Sequence, residues 1–144
     1  MELVRTVSVD RPVEEVFAYL ADFTTTTQWD PGTVRTTRES GDGSVGTRYR
    51  NVSKFMGRTV ELTYVVVDHE PPGRIALRAE NDTLIAHDTI TVRPRGEGGA
   101  EITYRAVFTF KGAVRFVMPL ASPAFRKLGD DASKGMLRAL SPSS

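Results

Sequence analysis

The feature that most constrains this chain is its C-terminal stretch, residues 112–140. From Ala124 onward the apolar side chains fall at Phe125, Leu128, Ala132, Met136 and Leu140, with Ala139 beside them. Gaps of three and four residues put them on one face of an α-helix. Arg126, Lys127, Asp130, Asp131, Lys134 and Arg138 take the other face. Such a helix must lay its apolar face on another layer of structure. Most of the remaining chain reads as β. The pattern therefore predicts a single α+β domain over residues 1–144, a curved antiparallel sheet gripping one long helix, with room for a cavity between them.

The rest of the chain supplies the sheet. Residues 2–9 alternate, with Leu3, Val7 and Val9 on one face, and read as a strand. Asp10-Arg11-Pro12 starts a short helix over residues 12–21: proline suits the first helical position, Glu14 and Glu15 favour the positive first turn, and Val13, Val16, Phe17 and Leu20 recur at helical spacing. Four consecutive threonines, Thr24 to Thr27, predict one irregular turn rather than a stable helix, and Trp29-Asp30-Pro31-Gly32 breaks the chain. Six β-like segments follow, at residues 33–39, 46–53, 58–68, 74–80, 84–93 and 101–110. The first is polar and suits an edge. The breaks between them carry turn chemistry, such as Met56-Gly57, Pro71-Pro72-Gly73 and Asn81-Asp82. Such short connections favour antiparallel neighbours. Residues 112–123 have two readings: an apolar flap over a cavity, or the start of the long helix, kinked at Pro119 and restarted at Ser122-Pro123 with Ser122 as the cap.

Alternation assigns the inward face of each strand. Tyr49 and Asn51 look in, as do Val60, Leu62, Tyr64 and Val66. Ile75, Leu77 and Ala79 share the inner face with Leu84, Ala86, Asp88, Ile90 and Val92, and with Ile102, Tyr104, Ala106, Phe108 and Phe110. This face is aliphatic and aromatic with a few polar tips, the character of a small-molecule site. Inner tyrosines also serve as core residues whose hydroxyls reach the rim. Asp88 is the informative member. A carboxylate on an apolar face must be paired or have a raised pKa. It either anchors a strand or a loop mouth, or acts as a general base or as the acceptor for a ligand hydroxyl.

Composition removes several classes of function. There is no cysteine, which excludes disulfides, thiolate catalysis and cysteine–zinc sites and fits a reducing cytoplasm. Lys and Arg total 19 against 18 Asp and Glu, so charge gives no case for nucleic acid. Residues 1–10 lack the apolar core of a signal peptide, and the most apolar run, residues 112–121, is too short to span a membrane. The Gly41-Asp42-Gly43-Ser44-Val45-Gly46 run has dinucleotide-fingerprint spacing, but it leads into strand-like residues where a helix is needed, and it reads as a hairpin turn. His69, in the polar Asp68-His69-Glu70 run, reads as solvated, and His87 as outward-facing. Neither belongs to a metal cluster, so no metal and no cofactor is expected. No Gly-x-Ser-x-Gly elbow is present.

The N-terminal run Val7-Ser8-Val9-Asp10-Arg11-Pro12-Val13-Glu14-Glu15-Val16-Phe17-Ala18-Tyr19-Leu20-Ala21-Asp22, followed by Trp29-Asp30-Pro31-Gly32, resembles the polyketide cyclase/dehydrase and lipid-transport family of the START-like, Bet v 1-like (SRPBCC) superfamily. The Glu70-Pro71-Pro72-Gly73-Arg74 turn, the Gly98-Gly99 hairpin and the closing helix fit the same pattern. The resemblance covers the whole chain. It implies a helix-grip fold: a seven-stranded antiparallel sheet, two short helices after the first strand, and a long C-terminal helix across a cavity. Pro12, Val16, Phe17 and Trp29 look like packing signatures. Proteins of this superfamily include aromatase/cyclases, lipid and sterol carriers, quinone-binding proteins, hormone receptors and chaperone regulators. No catalytic set carries over residue by residue, and fold analogy alone does not assign an activity.

Three readings of function follow. In the first, a monomer or homodimer holds a small hydrophobic molecule, aromatic or lipid-like, against Trp29, Tyr49, Tyr64, Leu77, Asp88, Tyr104, Leu128, Ala132 and Met136. In the second, a cyclase or dehydratase acts on a polyketide-like substrate, with Asp88 as acid or base and a tyrosine stabilising an enolate. This requires Asp88 to be buried, within reach of a tyrosine, and facing an open cavity. The third is an interaction module with a filled interior and an exposed apolar surface around Phe116 to Phe125.

Overall fold

The computed structural model describes residues 1–141. The chain begins with β1 (Glu2–Val9), α1 (Val13–Ala21), a 3₁₀ turn (Phe23–Thr25) and α2 (Thr26–Trp29). Six strands follow: β2 (Thr33–Ser40), β3 (Arg48–Phe55), β4 (Arg58–Glu70), β5 (Arg74–Glu80), β6 (Leu84–Arg95) and β7 (Gly99–Phe110). A one-turn helix α3 (Val114–Val117) and a 3₁₀ turn (Met118–Ala121) lead into α4 (Ser122–Leu140).

All seven strands form one antiparallel sheet in the order β1-β7-β6-β5-β4-β3-β2. The polar β2 is an edge strand, as its composition suggests. The curved sheet with the long C-terminal helix against it is the helix-grip arrangement that the sequence pattern anticipates. Three register shifts, at Thr33/Arg35, Arg38/Ser40 and Val66/Asp68, bend the β2 and β4 region. The inward assignments hold along most strands: Tyr49, Leu62, Tyr64, Val66, Leu77, Ala86, Asp88, Ile90 and Ile102 are all buried.

Four local expectations need correction. The bulge at Val67 changes the parity of the end of β4, so His69 pairs with Ile75 and turns its ring against Phe17, with ring centroids 5.8 Å apart; it is half-buried, not solvated. The threonine run makes a 3₁₀ turn and a full α-turn, because the hydroxyls bond back to local carbonyls: Thr25 Oγ1 donates to Tyr19 O (2.9 Å) and Thr26 Oγ1 to Phe23 O (2.7 Å). Pro12 occupies the N-cap position of α1 and Val13 is the first helical residue. Ser122 does not cap α4. It already has helical torsions, and its hydroxyl donates to Pro119 O at 2.7 Å, leaving Ala121 at the cap position.

The two halves of α4 pack differently. Ala132, Met136 and Leu140 enter the main core with Val16, Phe17, Leu20, Trp29, Tyr49, Tyr64 and Leu77. Phe125 joins a second cluster with Leu3, Ala106 and Ala121, flanked by Phe55, Phe108, Phe110 and Leu128. On the outer side Arg5 of β1 ties the helix down: its Nε donates to Asp130 Oδ1 (2.8 Å) and its Nη2 to Arg126 O (3.3 Å). Gly135 sets the closest approach. A Cβ at this position would lie 1.8 Å from the Trp29 carbonyl oxygen, so only glycine lets α4 meet the backbone of α2. Gly135→Ala is expected to lower unfolding free energy by about 1–3 kcal/mol, the usual range for overpacking, or more if backbone must move. Lys134→Ala, at the neighbouring outward-facing position, is expected to stay within about 0.5 kcal/mol of the parent. Urea denaturation of the two variants checks both.

Candidate ligand cavity

The cavity follows from where α4 is held down and where it is not. At Gly135 the helix touches α2, and Ala132 and Met136 beside it are packed into the main core. Toward the N-terminal half of α4 a cavity of about 690 Å³ lies between Leu128 and Phe125 on one side and the inner faces of β3, β4, β6 and β7 on the other. Exposed Lys54, Met56 and Arg58, from the β3–β4 hairpin, form the mouth together with Val114, Val117 and Met118 of the segment before α4. That segment is thus both helical and part of the cavity wall. Its Phe116 and Leu120 point outward and are 71% and 83% exposed. The apolar surface of the interaction reading is therefore present, but the filled interior it requires is not.

Of the nine residues expected to line a cavity, the structure brings together Trp29, Tyr64, Asp88, Tyr104 and Leu128 on its wall. Tyr49, Leu77, Ala132 and Met136 are not on the wall; they are packed in the main core. The parity of Tyr49 and Leu77 is inward, but Phe23 covers Tyr49, with ring centroids 5.9 Å apart. Ala132 and Met136 lie on the half of α4 closed down by the glycine contact. Conversely, the wall includes Asp30, Phe55, Phe108, Phe110 and Phe125, which sequence reasoning does not single out as ligand contacts. Phe108 and Phe110 share the inward face of their strand, and Phe125 the apolar face of the helix, so the signal for them is present. Asp30 reads as a turn residue, and it is one: Gly32 N–H donates to its Oδ1 (3.1 Å) and Thr33 Oγ1 to its Oδ2 (3.0 Å).

The inner end of the cavity is polar. Asp88 on β6 lies diagonally from Tyr104 on β7, since Asp88 pairs with Ala106 and Ile90 with Tyr104. The Tyr104 hydroxyl donates to Asp88 Oδ2 at 3.0 Å. Oδ1 of the same carboxylate is buried and has no hydrogen-bond partner among the described residues. Nor does any described arginine or lysine neutralise Asp88: the cationic side chains on the cavity wall are Lys54 and Arg58, both exposed. Desolvation therefore dominates and pushes Asp88 up from 3.8 to about 7, with the Tyr104 hydrogen bond opposing and the Asp30 charge adding to it. Burial also raises Asp30, and raises Tyr64 and Tyr104 well above the usual phenol value, so both hydroxyls stay protonated near neutral pH. Trp29 stands edge-on to Tyr104, with centroids 5.8 Å apart, and its indole N–H donates to Thr25 Oγ1 at 3.2 Å. A further buried chain runs from Thr26 through Thr36 to Asn51 and Ser53, and joins α2 to β2 and β3. The site can thus enclose an apolar molecule against aromatic walls while offering one unsatisfied carboxylate oxygen that changes protonation near neutrality.

The family model for polyketide cyclase/dehydrase and lipid transport matches residues 1–141. This chain belongs to that family. Solved structures agree on the fold. The protein TTHA0849 from Thermus thermophilus superposes with a TM-score of 0.82 at 15% identity, covering 97% of each chain. The Zhui aromatase/cyclase from Streptomyces sp. R1128 gives 0.82 at 14% identity, covering 97% of this chain and 93% of that one. A START superfamily protein from Mycobacterium smegmatis gives 0.74 at 16% identity over 96% and 98%. Among curated proteins none matches the sequence significantly. Family and fold together suggest two kinds of activity, binding of a hydrophobic ligand or polyketide cyclase/aromatase chemistry. Among the described residues no helix is long and apolar enough to cross a membrane.

The raised Asp88 makes a signed prediction about stability. Between about pH 4 and pH 7 the folded protein keeps a proton that the unfolded chain has released. The stabilisation linked to this proton is complete below the unfolded value of 3.8, is lost as pH rises toward about 7, and changes little above it. Asp88→Asn removes the dependence. Relative to this variant, the wild type should lose up to about 4 kcal/mol from pH 4 to pH 8, since one proton held by the folded state alone is worth about 1.36 kcal/mol for every pH step of one. Chemical denaturation of both proteins across that range checks it; a stability difference independent of pH would contradict the buried, unpaired carboxylate.

Proposed function

We propose that this chain binds a small, largely apolar molecule, aromatic or lipid-like, in the cavity between the sheet and the N-terminal half of α4. The observation that carries this reading is the cavity itself: about 690 Å³, with apolar wall residues that include Trp29, Leu84, Phe108, Phe125 and Leu128, and with Tyr64, Asp88 and Tyr104 among its polar groups. That combination of an apolar wall and sparse convergent polar groups is how small-molecule sites are built. Native mass spectrometry of the purified protein, compared with the same sample denatured and extracted, should reveal a co-purifying molecule or uptake from a panel of apolar aromatics and fatty acids. Trp29, the single tryptophan, lies on the wall and gives an independent fluorescence signal for occupancy. Leu128→Glu should weaken binding at least about tenfold, because it removes apolar contact and buries a charge. Unchanged affinity would place the molecule elsewhere.

A second reading is favoured by one specific observation. Asp88 is buried, bonded to Tyr104 and among the residues lining the cavity, which supports this reading. In this reading the chain dehydrates or cyclises a polyketide-like substrate. The Asp88 carboxylate takes the proton from the carbon next to a carbonyl while a neighbouring tyrosine O–H hydrogen-bonds the developing enolate oxygen. The resulting carboxylic acid then returns that proton to the departing β-hydroxyl, which leaves as water and restores the carboxylate. Asp88→Asn should then reduce turnover of a β-hydroxyketone by about hundredfold or more while the molecule still binds. Equal turnover in both proteins would remove the enzymatic reading and leave the binding one intact.

A further inference from the structure

The cavity has a direction, and its direction selects a ligand. Its inner end holds two carboxylates, Asp30 and Asp88, whereas its cationic side chains, Lys54 and Arg58, are at the exposed mouth with Glu61, a carboxylate already paired with Arg50. Asp30 is engaged on both oxygens, accepting from Gly32 N–H and from the Thr33 hydroxyl. Asp88 is engaged on one side only. Tyr104 donates to Oδ2, and Oδ1 is buried without a partner among the described residues. A buried acceptor in this state favours any ligand that brings a donor to it, because the desolvation of the carboxylate has already taken place in the fold itself.

We propose that the ligand of this cavity is an apolar molecule carrying a neutral hydroxyl, phenolic or alcoholic, which is inserted hydroxyl-first and donates to Asp88 Oδ1. The inference rests on the cavity reading and narrows it. A carboxylate head is disfavoured at the inner end by two acidic groups with no cation beside them to offset their charge. A protonated amine would gain a charge partner, but it must be stripped of water in the same apolar enclosure, a penalty a neutral hydroxyl largely avoids. Any acidic group on the ligand therefore belongs at the other end of the molecule, near Lys54 and Arg58. Tyr104 acts as a positioning residue: by holding Oδ2 it leaves Oδ1 as the oxygen offered to the ligand.

A matched series on one ring system tests the proposal: naphthol, methylnaphthalene, methoxynaphthalene, naphthoate and naphthylmethylamine, titrated by isothermal calorimetry at about pH 8, above the value near 7 for Asp88. Naphthol should bind about tenfold more tightly than methylnaphthalene or methoxynaphthalene, in keeping with one hydrogen bond to a charged acceptor, and naphthoate should be the weakest of the series. In Asp88→Leu the naphthol advantage over methylnaphthalene should vanish. The wild-type ranking stands on its own should that variant fold poorly. If methylnaphthalene binds and naphthol binds no more tightly, the donor assignment is overturned but the cavity reading survives. Tighter binding of the amine or of naphthoate than of naphthol also overturns it. If no member binds, methylnaphthalene included, the cavity reading itself fails and this inference falls with it.

Discussion

The architecture depends on one backbone contact. Gly135 brings α4 against the carbonyl of Trp29, where any side chain would collide. On this side of the helix the space against the sheet is filled by the main core, whereas under the N-terminal half a cavity lies beside Phe125 and Leu128. Arg5 holds the solvent side of the helix through Asp130 and the Arg126 carbonyl, so α4 is held at a second place along its length. In the main core Met136, Leu20, Ile75 and Leu77 are fully buried. Ala132, Met136 and Leu140 thus fill the main core, while Phe125 and Leu128 stand on the cavity wall.

The buried carboxylate is the second organising fact. A structural acid would be expected to find an arginine, a lysine or several N–H donors, as the surface acids Glu2, Asp68 and Glu80 find partners. Among the described residues Asp88 finds only a tyrosine hydroxyl, and one of its oxygens has no partner. Leaving a buried polar atom unpaired costs about 1–3 kcal/mol, more for a charged group. The fold carries that cost where an aromatic wall meets open space, which is where a binding or chemical role would put it to use. Asp30 makes the contrast clear: equally part of the cavity wall, it is committed on both oxygens to shaping the turn into β2.

Much of this is legible in the sequence. The spacing of Phe125, Leu128, Ala132, Met136 and Leu140 sets the helix, and alternation along the strands places Tyr64, Asp88 and Tyr104 on one inward face. Both patterns are local, and both survive folding because one face of each element is buried. What is not legible depends on distance between layers. Tyr49 and Leu77 have the right parity to reach a cavity, but parity cannot say how close the helix comes. The closest approach of α4 to α2 is at Gly135, whose partner Trp29 is far from it in the sequence. A glycine in the middle of an amphipathic helix is the available sign of a close contact, since it lowers helix propensity without an evident reason. The bulge at Val67 is illegible in another way: nothing in the Val65-Val66-Val67-Asp68 run marks which residue slips, and the slip turns His69 inward.

The most direct measurement is a crystal structure of the protein grown with a hydroxylated apolar aromatic, read at the space between Leu128, Trp29 and Asp88. The account predicts ligand density there, with an oxygen within hydrogen-bond distance of Asp88 Oδ1 and α4 in contact with α2 at Gly135. A structure in which side chains of the wall have closed the cavity between Leu128 and Asp88, or in which ligand is found only on the outer face around Phe116 and Leu120, would contradict it.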